Sequence, residues 1–254
     1  MIPARQTNPA RCRHAPPQIV SLNGRKLPNA EFHRMSDCDG HDAYGLRMRT
    51  MPANHLDPDQ LRDHQPLTID ELSHLLAGAP VRWGLCGGLA IDLFVGHPTR
   101  QHADLDISIF REDEVSMRTW MASWEFWGAH EPGKGLDRLS SSQPIPADVH
   151  AIWCRESGSE SWSLEMLVEE GDSRTWRYRR DSRIRRPVSE VFWKVDKLPV
   201  MRPEIILLYK SKQPRENDMH DFDAALPKLG LAAREWLRSS LVAAHPTSPW
   251  AALV

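Results

Sequence analysis

The sequence predicts an α+β fold, a mixed sheet flanked by helices and followed by C-terminal helices. Three observations predict it. A short apolar strand at residues 81–85 breaks at Gly87-Gly88 into a helix and returns as a second strand over 104–110. More strand-like runs follow at short spacing, over 149–154, 162–168 and 175–179. From Pro203 onward the apolar pattern is helical. Strands gathered in the middle, with helices before and after, describe an α+β domain.

Taken in order, residues 1–65 carry Pro, Arg, His, Asn and Asp with no sustained apolar period. They read as a disordered or loosely ordered N-terminal extension. Met35, Met48 and Met51 are internal methionines, so an extension upstream of the true start fits as well as a functional tail. The core is expected over 66–200 and a helical region over 201–254. Thr68 and Glu71 form a capping box that opens a helix, with Leu72, Leu75 and Leu76 inward and Gly78 at its end. After Gly87-Gly88, Ala90, Ile91 and Phe94 make the apolar side of the next helix. A further helix is predicted over 113–124, with Glu112, Asp113 and Glu114 at its positive end. Its packing stripe is Val115, Met117, Trp120, Met121 and Trp124. Residues 131–147, rich in Gly, Ser and Pro, read as loop. The strand at 149–154 turns at Ser157-Gly158-Ser159 and returns with Trp162, Leu164, Met166 and Val168 on one face. Ser163, Glu165 and Leu167 take the other. Pro203 suits a first helical turn and Pro214 ends that helix. Residues 215–226 and 232–244 form two more, expected across one side of a cleft.

Composition removes several classes. The 254 residues are 41% hydrophobic and 26% charged, an ordinary balance for a chain that builds one sizeable core. A net charge of -2 provides no global attraction to nucleic acid or anionic membrane. Cys12, Cys38, Cys86 and Cys154 are scattered without a Cys-x-x-Cys, which argues against zinc and disulfides and suits a reducing, cytoplasmic setting. No apolar run approaches the ~18 residues of a membrane span. The ten tryptophans either fill the core or line a pocket for a base or sugar.

The chemistry concentrates between Gly87 and Asp106. On the strand at 104–110, Leu105, Ile107 and Ile109 share one face, and Asp104, Asp106 and Ser108 share the other. Two same-facing carboxylates repel unless a cation lies between them, and Mg²⁺ takes hard oxygen ligands of this kind. Gly87-Gly88 lets a phosphate approach backbone N–H groups at a helix N-terminus, where the dipole also favours an anion. Together they read as a site for metal-bound triphosphate.

The run Gly87-Gly88-x-Ala90-Ile91-Asp92, then Gly96-x-x-Thr99-Arg100-x-His102-x-Asp104-x-Asp106, resembles the nucleotidyltransferase superfamily with its polymerase-β-like core. Within it, the sequence is most similar to the aminoglycoside 2''-O-adenylyltransferase type of antibiotic nucleotidyltransferases. The dense match is a short central stretch, with looser resemblance continuing to the C-terminus. The resemblance implies that Asp104 and Asp106 hold two Mg²⁺ ions and that Gly87 and Gly88 seat the triphosphate of ATP. It also implies a third carboxylate from a neighbouring strand, a metal ligand or a base for the acceptor hydroxyl. Glu165 is the candidate, where the family more often has Asp; Asp148 and Glu169 are the reserves.

Arg100 can grip phosphate bidentately. Asp92 is expected as a helix cap or in a salt bridge to Arg100, and His102 as a structural hydrogen-bonder before Asp104. Residues 208–218 resemble a Lys-(x)n-Arg-x-Lys-Asp segment of the superfamily, which makes Lys210 a phosphate contact and puts Asn217 where lysine is expected. Asp218 and Asp221, one helical turn apart, are expected in salt bridges.

The implied reaction moves AMP from ATP onto a hydroxyl of a small, aminoglycoside-like acceptor and releases pyrophosphate. An acidic turn, Glu169-Glu170-Gly171-Asp172, would suit a cationic acceptor. A basic block of Arg177, Arg179, Arg180, Arg183, Arg185 and Arg186 would suit an RNA end. Two alternatives therefore stand beside the first: a toxin-like enzyme acting on tRNA or protein, and a catalytically silent module that binds nucleotide or a partner.

Overall fold

The computed structural model describes residues 54–57, 63–130 and 134–254. Most of the expected N-terminal extension therefore lies outside the described residues. Its last part does not: His55–Leu56 is a strand, β1, and Gln65 N and Trp162 N bond Trp162 O and Asp63 O at 2.8 and 2.9 Å. Pairing begins before Pro66.

Thr68 opens α1 (Ile69–Leu75): its hydroxyl accepts from Glu71 N at 3.2 Å, and the Glu71 carboxylate accepts from Thr68 N at 2.8 Å. β2 (Trp83–Leu85) leads through Cys86 into α2 (Gly87–Val95), which stops at Gly96 with φ 90°. β3 is Asp106–Phe110, two residues shorter than the alternation suggested.

The next prediction needs correction. α3 is Glu114–Trp120, and Trp124 begins β4 (Trp124–Ala129) instead of ending a helix. Trp124 and Phe126 reach the main core while Trp127 lies in a second cluster, so the period there is two. Trp120 is largely exposed, and the buried side of α3 includes an ion pair, Glu114 with Arg118, at 2.6 Å. Arg118 donates onward to the carbonyls of Ser140 and Gln143, and Glu114 accepts from Ile145 N at 3.0 Å. That pair anchors the segment read as loop. The same segment also contains β5 (Leu136–Arg138), paired to β1 and β4.

β6 (Ala151–Glu156) and β7 (Leu164–Gly171) form the expected hairpin, followed by β8 (Thr175–Arg177), β9 (Arg185–Pro187), β10 (Phe192–Val195) and β11 (Leu198–Met201). The main sheet runs β1-β5-β4-β6-β7-β3-β2-β11-β10, with β8 and β9 extending from the end of β7. β3 with β7 and β2 with β11 are parallel and the other pairs antiparallel, so the sheet is mixed as predicted. Leu164, Met166 and Val168 enter the main core. Trp162 does not join them: it precedes the strand and packs with Trp127 and Leu136. The chain finishes in α4 (Pro203–Lys210), α5 (Glu216–Ala225) and α6 (Leu231–Ala244).

Candidate active site

Four neighbouring chain segments in the middle of the sheet bring the candidate residues side by side. Asp106 on β3 is in register with Glu165 on β7, and Glu165 with Trp153 on β6. Gly87 follows β2 on the other side of Asp106, and Cys86 N donates to Asp106 O at 2.9 Å. Trp153, Glu165, Asp106 and Gly87 thus form a row. Gly87 has φ +67°, and a Cβ there would collide with Asp106 Oδ2. A side chain is excluded on both counts. At Gly88, a Cβ would meet the Arg100 guanidinium and the His102 ring.

Asp104 is exposed and lines a recess with Glu165, Leu105, Trp153 and Trp162. The carboxyls interact strongly. Burial and then the Asp104 charge raise Asp106 to about 7, against the pull of Lys210, Arg215 and Arg100. Burial, then Asp106 and Asp104, raise Glu165 to about 8, opposed by the indole of Trp153. Asp106 Oδ1 is buried with no hydrogen-bond partner among the described residues. An unpaired buried oxygen between crowded acids suits a cation. No three His, Cys, Asp or Glu side chains among the described residues are drawn together as a ready cage. Mg²⁺ does not need one, since it usually takes one or two carboxylates and completes its shell with waters and phosphate oxygens.

The cationic side is arranged differently from expectation. Asp92 pairs with Thr99 and His102, not with Arg100: Thr99 Oγ1 donates to Oδ1 at 2.6 Å, and His102 Nε2 lies 2.7 Å from Oδ2. The side chain of Asp92 is thus taken up in fixing the turn between α2 and β3. Arg100 instead holds Asp221 on α5 through Nε at 2.8 Å and Nη2 at 3.1 Å. Lys210 bonds Asp218 at 2.7 Å and Asp221 at 2.9 Å. Against the penalty of burial, Arg215 and Lys210 bring the Asp218 carboxyl down to about 2, and Arg100 and Lys210 likewise lower Asp221. Both cations expected to meet phosphate are therefore braced by α5 carboxylates.

Arg215 was overlooked. Its Nε bonds Asp218 at 3.1 Å, its side chain is 81% exposed, and the charges of Asp104 and Asp106 act on it. It is the Arg of the Lys-(x)n-Arg segment, which was the available signal. Trp153 was overlooked too; its place beside Glu165 comes from a hairpin register that the turn at Ser157-Gly158-Ser159 does not by itself give.

The reserve acids lie elsewhere. Asp148 sits 2.7 Å from His130 with a mostly exposed side chain, in a separate hollow with His55 and Asp137. Glu169 is buried and accepts from Trp176 Nε1 and the Tyr209 hydroxyl, both at 2.6 Å. Much of the basic block is also committed. Arg177 pairs with Asp172, Arg183 with Asp181, and Arg186 with Glu204, while Arg180 donates to Tyr209 O. The acidic turn is dispersed by the same pairings, with Glu170 held by Arg111 at 2.7 Å.

A mixed sheet with Asp104 just before β3 and Asp106 opening it, a glycine pair opening α2 and helices closing the C-terminal side defines a nucleotidyltransferase. The chain belongs to the aminoglycoside-2''-adenylyltransferase family, whose model matches residues 68–224. It is an adenylyltransferase-family enzyme. Among solved structures, it is similar to the solution structure of the antibiotic-resistance factor ANT(2'')-Ia, with 14% identity, 73% of this chain and 92% of that chain covered, and a TM-score of 0.44. A crystal structure of ANT(2'')-Ia in complex with adenylyl-2''-tobramycin gives 16%, 69%, 95% and 0.45 in the same order. The lincomycin-bound lincosamide antibiotic adenylyltransferase LnuA gives 16%, 64%, 98% and 0.43. Comparison with curated proteins gives no match.

Proposed function

We propose that the enzyme transfers AMP from ATP to a hydroxyl of a small, aminoglycoside-like acceptor in a Mg²⁺-dependent reaction. The observation that carries this is the row of Glu165, Asp106 and Gly87, with one buried Asp106 oxygen left unpaired among the described residues. Asp104 and Asp106 would hold the metal, with Glu165 as a further ligand or as the base. When bound, Mg²⁺ offsets negative charge on the phosphates.

The protein's own groups do the rest. Backbone N–H groups at Gly87 and Gly88 receive phosphate oxygens at the N-terminus of α2, and Arg215 has guanidinium surface exposed for the same triphosphate. Arg100 and Lys210 add positive charge from behind, fixed by Asp221. The acceptor oxygen forms a bond to the α-phosphorus as the bond to the β-phosphate oxygen breaks. Pyrophosphate leaves, and the hydroxyl proton passes to Glu165, which must be ionised to accept it. Among the described residues no helix is long and apolar enough to cross a membrane, and the proposed setting is cytoplasmic.

Purified protein incubated with Mg²⁺, labelled ATP, an aminoglycoside panel and total tRNA tests the proposal. Label is expected on an aminoglycoside; label on tRNA alone overturns the acceptor class. ATP should raise Tm only with Mg²⁺ or Mn²⁺ present, and Asp104→Asn with Asp106→Asn should remove that dependence. Equal stabilisation by ATP in EDTA refutes the metal reading.

A further inference from the structure

One buried carboxyl on β7 has no part in the reaction proposed above. Glu169 lies on the same face of the strand as Glu165, is 3% exposed, and makes no ion pair among the described residues. A single oxygen, Oε2, accepts from both the Trp176 indole and the Tyr209 hydroxyl at 2.6 Å. Burial raises this carboxyl against the pull of Tyr209 and then Trp176. Burying an acid is costly, and apolar side chains would hold β7 to α4 without it. What the hydrogen bonds add to apolar contact is direction.

Tyr209 is held at three points. Its hydroxyl meets Glu169, its ring lies 4.9 Å from that of Tyr178 between centroids, and its carbonyl accepts from Arg180 at 2.7 Å. The next residue is Lys210, the last of α4, set about 100° further round the helix. Tyr209 therefore turns to the sheet and Lys210 to α5, where Nζ bonds Asp218 and Asp221. Of the positive charges acting on Asp106, Lys210 has the largest effect. We propose that Glu169 is a positioning residue for the nucleotide: through the Tyr209 hydroxyl it fixes the last turn of α4 and so holds the Lys210 ammonium on the phosphate side of the site. Asp218 and Asp221 direct the Lys210 side chain from α5, and Glu169 sets its backbone from β7. The inference rests on the reading of Mg²⁺–ATP as substrate given above.

The test is a double-mutant cycle on Mg²⁺–ATP affinity. Calorimetry gives the Kd for wild type, Tyr209→Phe, Lys210→Met and the double variant, with Tm confirming that each folds. Lys210→Met keeps the side-chain stem and removes the charge. Tyr209→Phe should weaken Mg²⁺–ATP binding about tenfold, roughly the scale of one buried hydrogen bond, and leave the acceptor KM in AMP transfer within about twofold. In the Lys210→Met background the same change should cost less than about twofold, because the ammonium it positions is gone. Glu169→Gln retains an oxygen that can accept from both donors and should bind within about threefold of wild type. Unchanged binding in Tyr209→Phe or in Lys210→Met, equal losses in both backgrounds, or an equal rise in acceptor KM overturns the positioning role. So does a Glu169→Gln variant that falls as far as Tyr209→Phe. No binding of Mg²⁺–ATP by wild type defeats the functional reading, and this inference with it. Binding by wild type with Tyr209→Phe uncoupled from Lys210→Met defeats this inference alone.

Discussion

At the scale of single residues, Asp106 and Glu165 make a prediction about pH. Both are raised above ordinary carboxyl values, to about 7 and about 8, by burial and then by neighbouring carboxylates, Asp104 for Asp106 and both aspartates for Glu165. Without metal, the folded protein therefore binds more protons than the unfolded chain between the two sets of values. The stability these groups contribute is present in acid and is lost as pH rises through 7 to 8. Buried Glu169 is raised as well and acts with the same sign, so the diagnostic quantity is a difference between variants. In EDTA, the Tm of Glu165→Gln relative to wild type should climb by a few degrees from pH 5 to 9. A difference that stays flat or falls contradicts the crowded-acid geometry. With Mg²⁺ and acceptor, the same substitution should cost roughly 10²-fold or more in single-turnover transfer, the scale of a lost general base. These residues were partly legible in sequence. Alternation on the strand at 162–168 put Glu165 opposite the core-facing residues, and Gly87-Gly88 announced a turn by composition alone. Which carboxylate would stand beside Asp106 depended on register between distant strands, and no local pattern encodes that.

Among elements, the joint that the α2–β3 connection and α4 make with α5 concentrates charge. Asp221 is fully buried and receives both Arg100 and Lys210. Asp221→Ala leaves Arg100 without its carboxylate and Lys210 with Asp218 alone, and breaking a buried pair this way costs about 3–5 kcal/mol. In a domain of this size that is a loss of roughly 10 °C in Tm. Asp221→Asn, which keeps the shape, should cost less, and a Tm within a degree of wild type for Asp221→Ala would show the joint to be dispensable. The sequence named all three residues but paired Arg100 with Asp92, because the helical spacing around α2 offered a near partner and nothing local points to a distant one. Helix boundaries show the same contrast. The capping box at Thr68 is self-contained and was readable. The passage from α3 to β4 was not, since tryptophans at 120 and 124 fit a helical stripe as well as the start of a strand.

For the whole molecule, the described fold runs from Asn54 to Val254 with a break at each undescribed segment, and the sequence of residues 1–53 has no sustained apolar period. Removing residues 1–53 should leave cooperative unfolding and the Mg²⁺–ATP melting shift in place. A Tm loss of many degrees would show that the N-terminal residues contribute to the fold. The reach of Arg100 to Asp221 also has a consequence for how the enzyme is made. The partners lie 121 residues apart in the chain, so ribosomes adding about 5–20 residues per second keep Arg100 without its carboxylate for ~6–24 s. The strands that hold Asp106 and Glu165 are synthesised in that interval, before α5 exists. A nascent chain halted short of Asp221 would therefore own every described strand of the sheet and still lack the carboxylate that braces Arg100 and Lys210.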